Sequence, residues 1–164
     1  MLTLLKSRQI IETAIRRAQQ LGINICVAVC DSGGRLIALN QMDGSVGWEA
    51  DRSSMGKAVA AALIGRSSHE LSEHLRTNGP RLSSCSNVIS PRGQRGGLPV
   101  LEEGVVQGGC GVSGAPTPEQ DEECARAGVA TYECPEQNGH LQTMLTGLRL
   151  PFPSRTQPEG FRDL

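Results

Sequence analysis

GGLPVLEEGVVQGGCGVSGAPTPEQDEECARAG, residues 96–128, gathers eight glycines, three prolines and two cysteines into a chain of otherwise ordinary composition. Two short apolar runs, LPVLEE and VVQGGCGV, flank a turn at Glu103-Gly104 and read as the strands of one hairpin. A helix start follows at once. Thr117 is placed as N-cap, Pro118 at the first helical position and Gln120 at the capping-box position, with Glu119, Asp121, Glu122 and Glu123 facing the positive end of the helix dipole.

Upstream the same order repeats in reverse. Residues 4–21 carry Ile11, Ala14, Ile15, Ala18 and Leu21 as one helical stripe, with Thr3 as N-cap and Gly22 as the stop. In INICVAVC, residues 23–30, large branched Ile23, Ile25, Val27 and Val29 alternate with Asn24, Cys26, Ala28 and Cys30. That pattern is a strand with one bulky and one small face. Asp31-Ser-Gly-Gly34 turns the chain into RLIALNQM as the second strand of a hairpin. Residues 49–65 form an alanine-rich helix, a short second helix is expected around 68–75, and a long Gly/Ser/Pro-rich connection leads to Gly96. Helix, hairpin, helices, hairpin, helix is an α+β order, with helices over one antiparallel sheet.

A chain of 164 residues fits one domain, assigned to residues 1–133, followed by a Pro-rich extension over 134–164 that is partly flexible and carries a possible docking helix at 140–148. Sixteen basic against seventeen acidic residues leave no basic field for nucleic acid. The only aromatics are Trp48, Tyr132, Phe152 and Phe161, too few for base stacking. No apolar run is long enough to span a bilayer, and the first residues lack the apolar core of a secretory signal. A reduced, cytoplasmic protein without a membrane or nucleic-acid partner is expected. Its six cysteines show no C-x-x-C spacing and read mostly as small buried hydrophobes.

Gly109-Cys-Gly111-Val-Ser-Gly114 spells G-x-G-x-x-G, but Ala115-Pro116-Thr117-Pro118 separates it from its helix, and a hairpin replaces the parallel unit that a dinucleotide site needs. The glycines then serve close approach of strand and helix. Ser113, Gly114 and the helix start at Thr117 also offer donors to a carboxylate or phosphate. His69 and His74 are five residues apart, hence about 140° apart around a helix, so they cannot pair on one metal ion. Either of them, or Cys134, could be a single axial ligand to haem iron. Covalent haem attachment is not indicated, because no C-x-x-C-H occurs.

Lys57 stands alone in the alanine-rich helix. A buried lysine needs an anion, and Asp43 and Asp121 are the candidate partners. Lys57, Asp43 and Asp121 are also the candidate catalytic groups. A pocket is expected between Lys57, the hairpin and the helix start, lined by Lys57, Gly96, Gly97, Gly111, Ser113, Gly114 and Thr117, where the ammonium meets an anionic group.

Val27-Ala-Val-Cys-Asp31-x-Gly33, Met42-Asp43-Gly44, Lys57-Ala58, Gly96-Gly97-Leu98-Pro99, and Gly108-x-x-Gly111-Val-Ser-Gly114 with Gln120-Asp121-Glu122 together resemble the GlcG/HbpS-like, or haem-degrading, domain family over residues 2–133. The resemblance implies a profilin-like or PAS-like domain with a five-stranded antiparallel sheet, assembled as a homo-oligomer. It implies a small-molecule ligand, with haem or a related tetrapyrrole the most specific candidate. The alternatives are an enzyme of a catabolic pathway acting on a small organic acid, and a structural oligomer or partner subunit.

Overall fold

The computed structural model describes residues 1–45, 47, 49–71 and 92–133. Helix α1, Leu4–Leu21, begins where Thr3 Oγ1 accepts the Lys6 N–H at 3.3 Å. It ends at Gly22, whose φ of 68° only glycine adopts freely, with Ile23 N–H returning to the Ala18 carbonyl. Strands β1, Cys26–Asp31, and β2, Leu36–Gln41, follow as a hairpin. Helix α2 spans Ala50–Ile64, and a single 3₁₀ turn covers Ser68–Glu70 where the sequence suggests a longer helix, whose remainder lies outside the described residues. Strands β3, Gly97–Glu102, and β4, Val105–Ser113, form the second hairpin, and α3 spans Pro118–Glu133.

The two hairpins join through their first and last strands. The order is β2-β1-β4-β3, antiparallel throughout, with Val27 opposite Val112 and Ala28 opposite Gly111. Four strands make this sheet among the described residues, against the five that the family resemblance implies.

The two faces of β1 and β4 explain the third dimension. Val27, Val29, Cys110 and Val112 point into a core completed by Ile10, Ile11 and Ala14 of α1 and by Cys124, Ala125 and Val129 of α3. The other face is lined by Cys26, Ala28, Cys30, Gly109 and Gly111, and here α2 packs. Helices therefore cover both faces of the sheet. The alternation of large and small residues in β1 is the reason: each face receives a helix layer at a different distance.

A Cβ at Gly109 or Gly111 would run into the Ala58 or Ser54 carbonyl of α2, and one at Gly97 into the Lys57 carbonyl. These glycines let backbone lie on backbone. Cys26, Cys30, Cys110 and Cys124 are free thiols inside the protein, and burial pushes Cys30 and Cys110 up to about 12 and Cys124 to about 11. At neutral pH they behave as small apolar side chains. No described helix is long and apolar enough to cross a membrane.

Candidate functional site

Lys57 leaves α2 at the end of the sheet where β3 begins and β4 finishes. Its ammonium donates at 2.8 Å to the Val112 carbonyl and at 2.8 Å to Asp121 Oδ2 on α3. Both side chains are buried, at 4 and 7% exposure. Asp121 Oδ1 accepts the Ala115 N–H at 3.0 Å, so its carboxylate closes the loop that leads into α3. Burial raises the Asp121 carboxyl above the usual range, against the pull of the Lys57 ammonium and the Ala115 N–H.

Passage of this side chain between the layers needs Gly96. At φ 108°, Gly96 accepts the Val112 N–H through its carbonyl at 2.7 Å, and a Cβ there would lie 2.8 Å from Asp121 Cβ. Ser68 fixes the preceding loop: its hydroxyl donates to the Gln94 carbonyl and accepts the Gly97 N–H.

Above the ion pair opens a groove of about 630 Å³, lined among others by Lys57, His69, Arg95, Ser113, Gly114 and Asp121. Such a volume holds a small organic ligand or cofactor. His69 places Nδ1 2.8 Å from Ser67 Oγ, and Nε2 has no hydrogen-bond partner among the described residues. Arg95 reaches Glu122 Oε2 at 3.5 Å and also borders a neighbouring hollow of about 270 Å³ with Glu119, Glu123 and Arg126. The groove presents the Arg95 guanidinium and the remaining Lys57 donor beside the Asp121 and Glu119 carboxylates, and one imidazole nitrogen to an electrophile or metal ion.

The residues expected at a site from sequence separate into groups. Lys57, Asp121, Ser113 and Gly114 come together at the groove. The anion that Lys57 meets is the Asp121 carboxylate of its own chain, which leaves at most one of its three N–H donors for anything else. Asp43 lies exposed in the turn after β2 and makes no ion pair with Lys57 among the described residues. Gly96, Gly97 and Gly111 are not in the groove wall: their missing side chains make room for Asp121, Lys57, Ser68 and α2. Thr117 is absent from the wall as well, since its hydroxyl and carbonyl receive the N–H groups of Gln120 and Asp121. At that helix start Thr117 takes the Gln120 and Asp121 N–H groups, and the Asp121 carboxylate takes the Ala115 N–H ahead of it. His69 is on the rim, while His74 and Cys134 fall outside the described residues.

Arg95, Ser67 and Ser68 carry no signal in the sequence; they follow or precede loops without periodicity. Glu122 is visible there as one acid among four in the helix's first turns and as part of the Gln120-Asp121-Glu122 run, without a role of its own.

The model of the haem-degrading HbpS-like proteins matches residues 2–130. Among solved structures, ORFY of Klebsiella pneumoniae superimposes with a TM-score of 0.69 at 25% identity, covering 81% of this chain and 91% of that one. A double mutant of Streptomyces reticuli HbpS gives 0.68 at 30% identity, over 79% and 86%. The complex of PduOC with heme gives 0.65 at 25% identity, over 79% and 93%.

Proposed function

This chain belongs to the HbpS-like haem-degrading protein family, and from that membership we propose that it binds haem or a related tetrapyrrole, non-covalently, in the groove between the loop at 93–95, the end of β4 and the start of α3. The observation that carries the reading is His69 on the rim of a groove whose floor and wall hold Lys57 and Arg95. The donor set fits the group. An imidazole whose Nε2 has no partner among the described residues suits a metal ion at the centre of a macrocycle. Arg95, with the remaining Lys57 donor, suits carboxylate substituents at its edge. Gly93, Gly114, Ala115, Pro116 and Pro118 supply walls without charge or bulk. A structural neighbour crystallised with heme supports the same ligand class.

Haem, when bound, supplies redox chemistry of its own. The chain's part is to orient it, to neutralise its carboxylates and to hold one face against bulk water. A small organic acid is the second reading, because Arg95 and Lys57 suit a lone carboxylate equally well. Native mass spectrometry of protein isolated from its own host separates the two: a retained mass equal to haem supports the first, and a retained small acid overturns it.

The functional unit we propose is a homo-oligomer. Leu4 and Leu5 of α1, Leu36 of β2 and Val105 of β4 are exposed at 49, 54, 45 and 61%. The groove beside Leu5, lined also by Arg8, Gln9 and Asn40, measures about 550 Å³. Leu4 and Leu5 on α1 and Leu36 on the edge strand β2 are better covered by a second copy than by water. A monomer mass by light scattering at micromolar concentration would contradict this.

A further inference from the structure

Glu122 sits in the first turns of α3 at 8% exposure, with Oε1 accepting from the Arg126 guanidinium at 2.8 Å. Its other oxygen, Oε2, is buried and has no hydrogen-bond partner among the described residues. A carboxylate oxygen in that state is costly unless a donor comes within reach. Two donors approach it: Arg95 Nη1 at 3.5 Å and His69 Nδ1 at 3.9 Å.

The contact between His69 Nδ1 and Ser67 Oγ has two possible senses. If the hydroxyl donates, Nδ1 holds the ring's lone pair and Nε2 carries the proton. If the ring donates, Nδ1 carries the proton and Nε2 holds the lone pair. A hydroxyl serves either sense; a carboxylate is acceptor only. Glu122 Oε2 attracts a proton on Nδ1 and repels a lone pair there, so it breaks the tie.

We infer that Glu122 is the positioning residue for His69: its buried Oε2 draws the ring proton onto Nδ1 and leaves Nε2 as an electron-pair donor to a ligand in the groove. The inference rests on the groove reading above, in which His69 faces the ligand. A modest rotation of the ring from Ser67 toward Glu122 turns the 3.9 Å approach into a hydrogen bond and satisfies the orphaned oxygen. Arg126, holding Oε1, keeps the carboxylate from swinging into solvent. Arg95 competes for Oε2, and its guanidinium is shared with Glu119, 3.9 Å from Nε on the same face of α3. Metal-binding histidines are commonly oriented by a carboxylate in this manner.

The test is nitrogen-15 NMR of the full, ligand-free chain at pH 8, with the His69 ring assigned by loss of its signals in His69→Gln. The parent and Ser67→Ala should both show the Nδ1–H tautomer. Glu122→Gln, which keeps shape and removes charge, should move His69 toward Nε2–H, the form that imidazole prefers in water. Haemin affinity should then fall about tenfold in Glu122→Gln and change little in Ser67→Ala. An Nε2–H parent, a Glu122→Gln ring that keeps Nδ1–H, or loss of Nδ1–H in Ser67→Ala alone would each overturn the assignment. If the tautomers change as expected but His69→Gln binds haemin like the parent, Glu122 still positions the ring and the groove reading is what fails.

Discussion

Lys57 and Asp121 lie on helices that cover opposite faces of the sheet, yet their charged groups meet at 2.8 Å around its end. The pair is the tie between the two layers, and Gly96 is the opening through which it passes. Removing one member leaves the other charged and buried. Lys57→Met should therefore lower stability by about 3–5 kcal/mol in urea unfolding. Pairing it with Asp121→Leu should restore part of that loss, since the unpaired charge is gone while the Ala115 N–H and the Val112 carbonyl still lack their side-chain partners. A single variant as stable as the parent would show that Asp121 is neutral in the folded protein.

Gly111→Ala tests the close contact of α2 with β4. The added methyl would meet the Ser54 carbonyl and the Ala58 N–H, which are backbone atoms and cannot rotate away. The loss should reach the upper end of the usual overpacking range, about 3 kcal/mol or more, as judged by thermal unfolding. At Gly104, where nothing lies within 4 Å but φ is 78°, Ala should be disfavoured only through backbone strain, a smaller effect.

Acid stability should depend on Asp31. Partial burial pushes its carboxyl up, but the N–H groups of Arg35 and Gly33 and the Arg35 guanidinium outweigh this and hold it below the ordinary 3.8. A depressed carboxyl stabilises the fold above its unfolded value and loses that contribution as pH falls through the folded one. Asp31→Asn should accordingly be less stable than the parent at pH 7, and the gap should narrow as pH falls below 3.8 and through the depressed folded value. A gap that is constant from pH 7 to pH 2.5 would mean that turn geometry, not charge, is what Asp31 contributes.

Much of this architecture is legible in the residues. Thr3, Gly22, Thr117 and Pro118 mark helix ends because caps act locally, and the large-small alternation of β1 marks a strand because side chains alternate across it. Its further meaning, a different helix layer on each face, depends on which segments pack against it, and short-range pattern does not carry that. The same limit applies at the site. Lys57 stands out as a lysine among alanines, but the choice between Asp43 and Asp121 is made by tertiary closure at Gly96. The glycines carry two readings for a related reason: room beside a backbone can admit a ligand or another backbone, and at Gly109 and Gly111 α2 takes it, as the close-approach reading expects. Arg95, Ser67 and the special state of Glu122 exist only once the loop before β3 is folded against α3.

The proposed haem site has His69 on its rim, and equilibrium titration of the full chain with haemin, parent beside His69→Ala, decides it. The parent should give a saturable Soret band with about one haem per chain, and the variant should lose that spectrum and bind at least about tenfold more weakly. Saturable binding with identical spectra and affinities in both proteins, or no saturable binding in the parent, would contradict it.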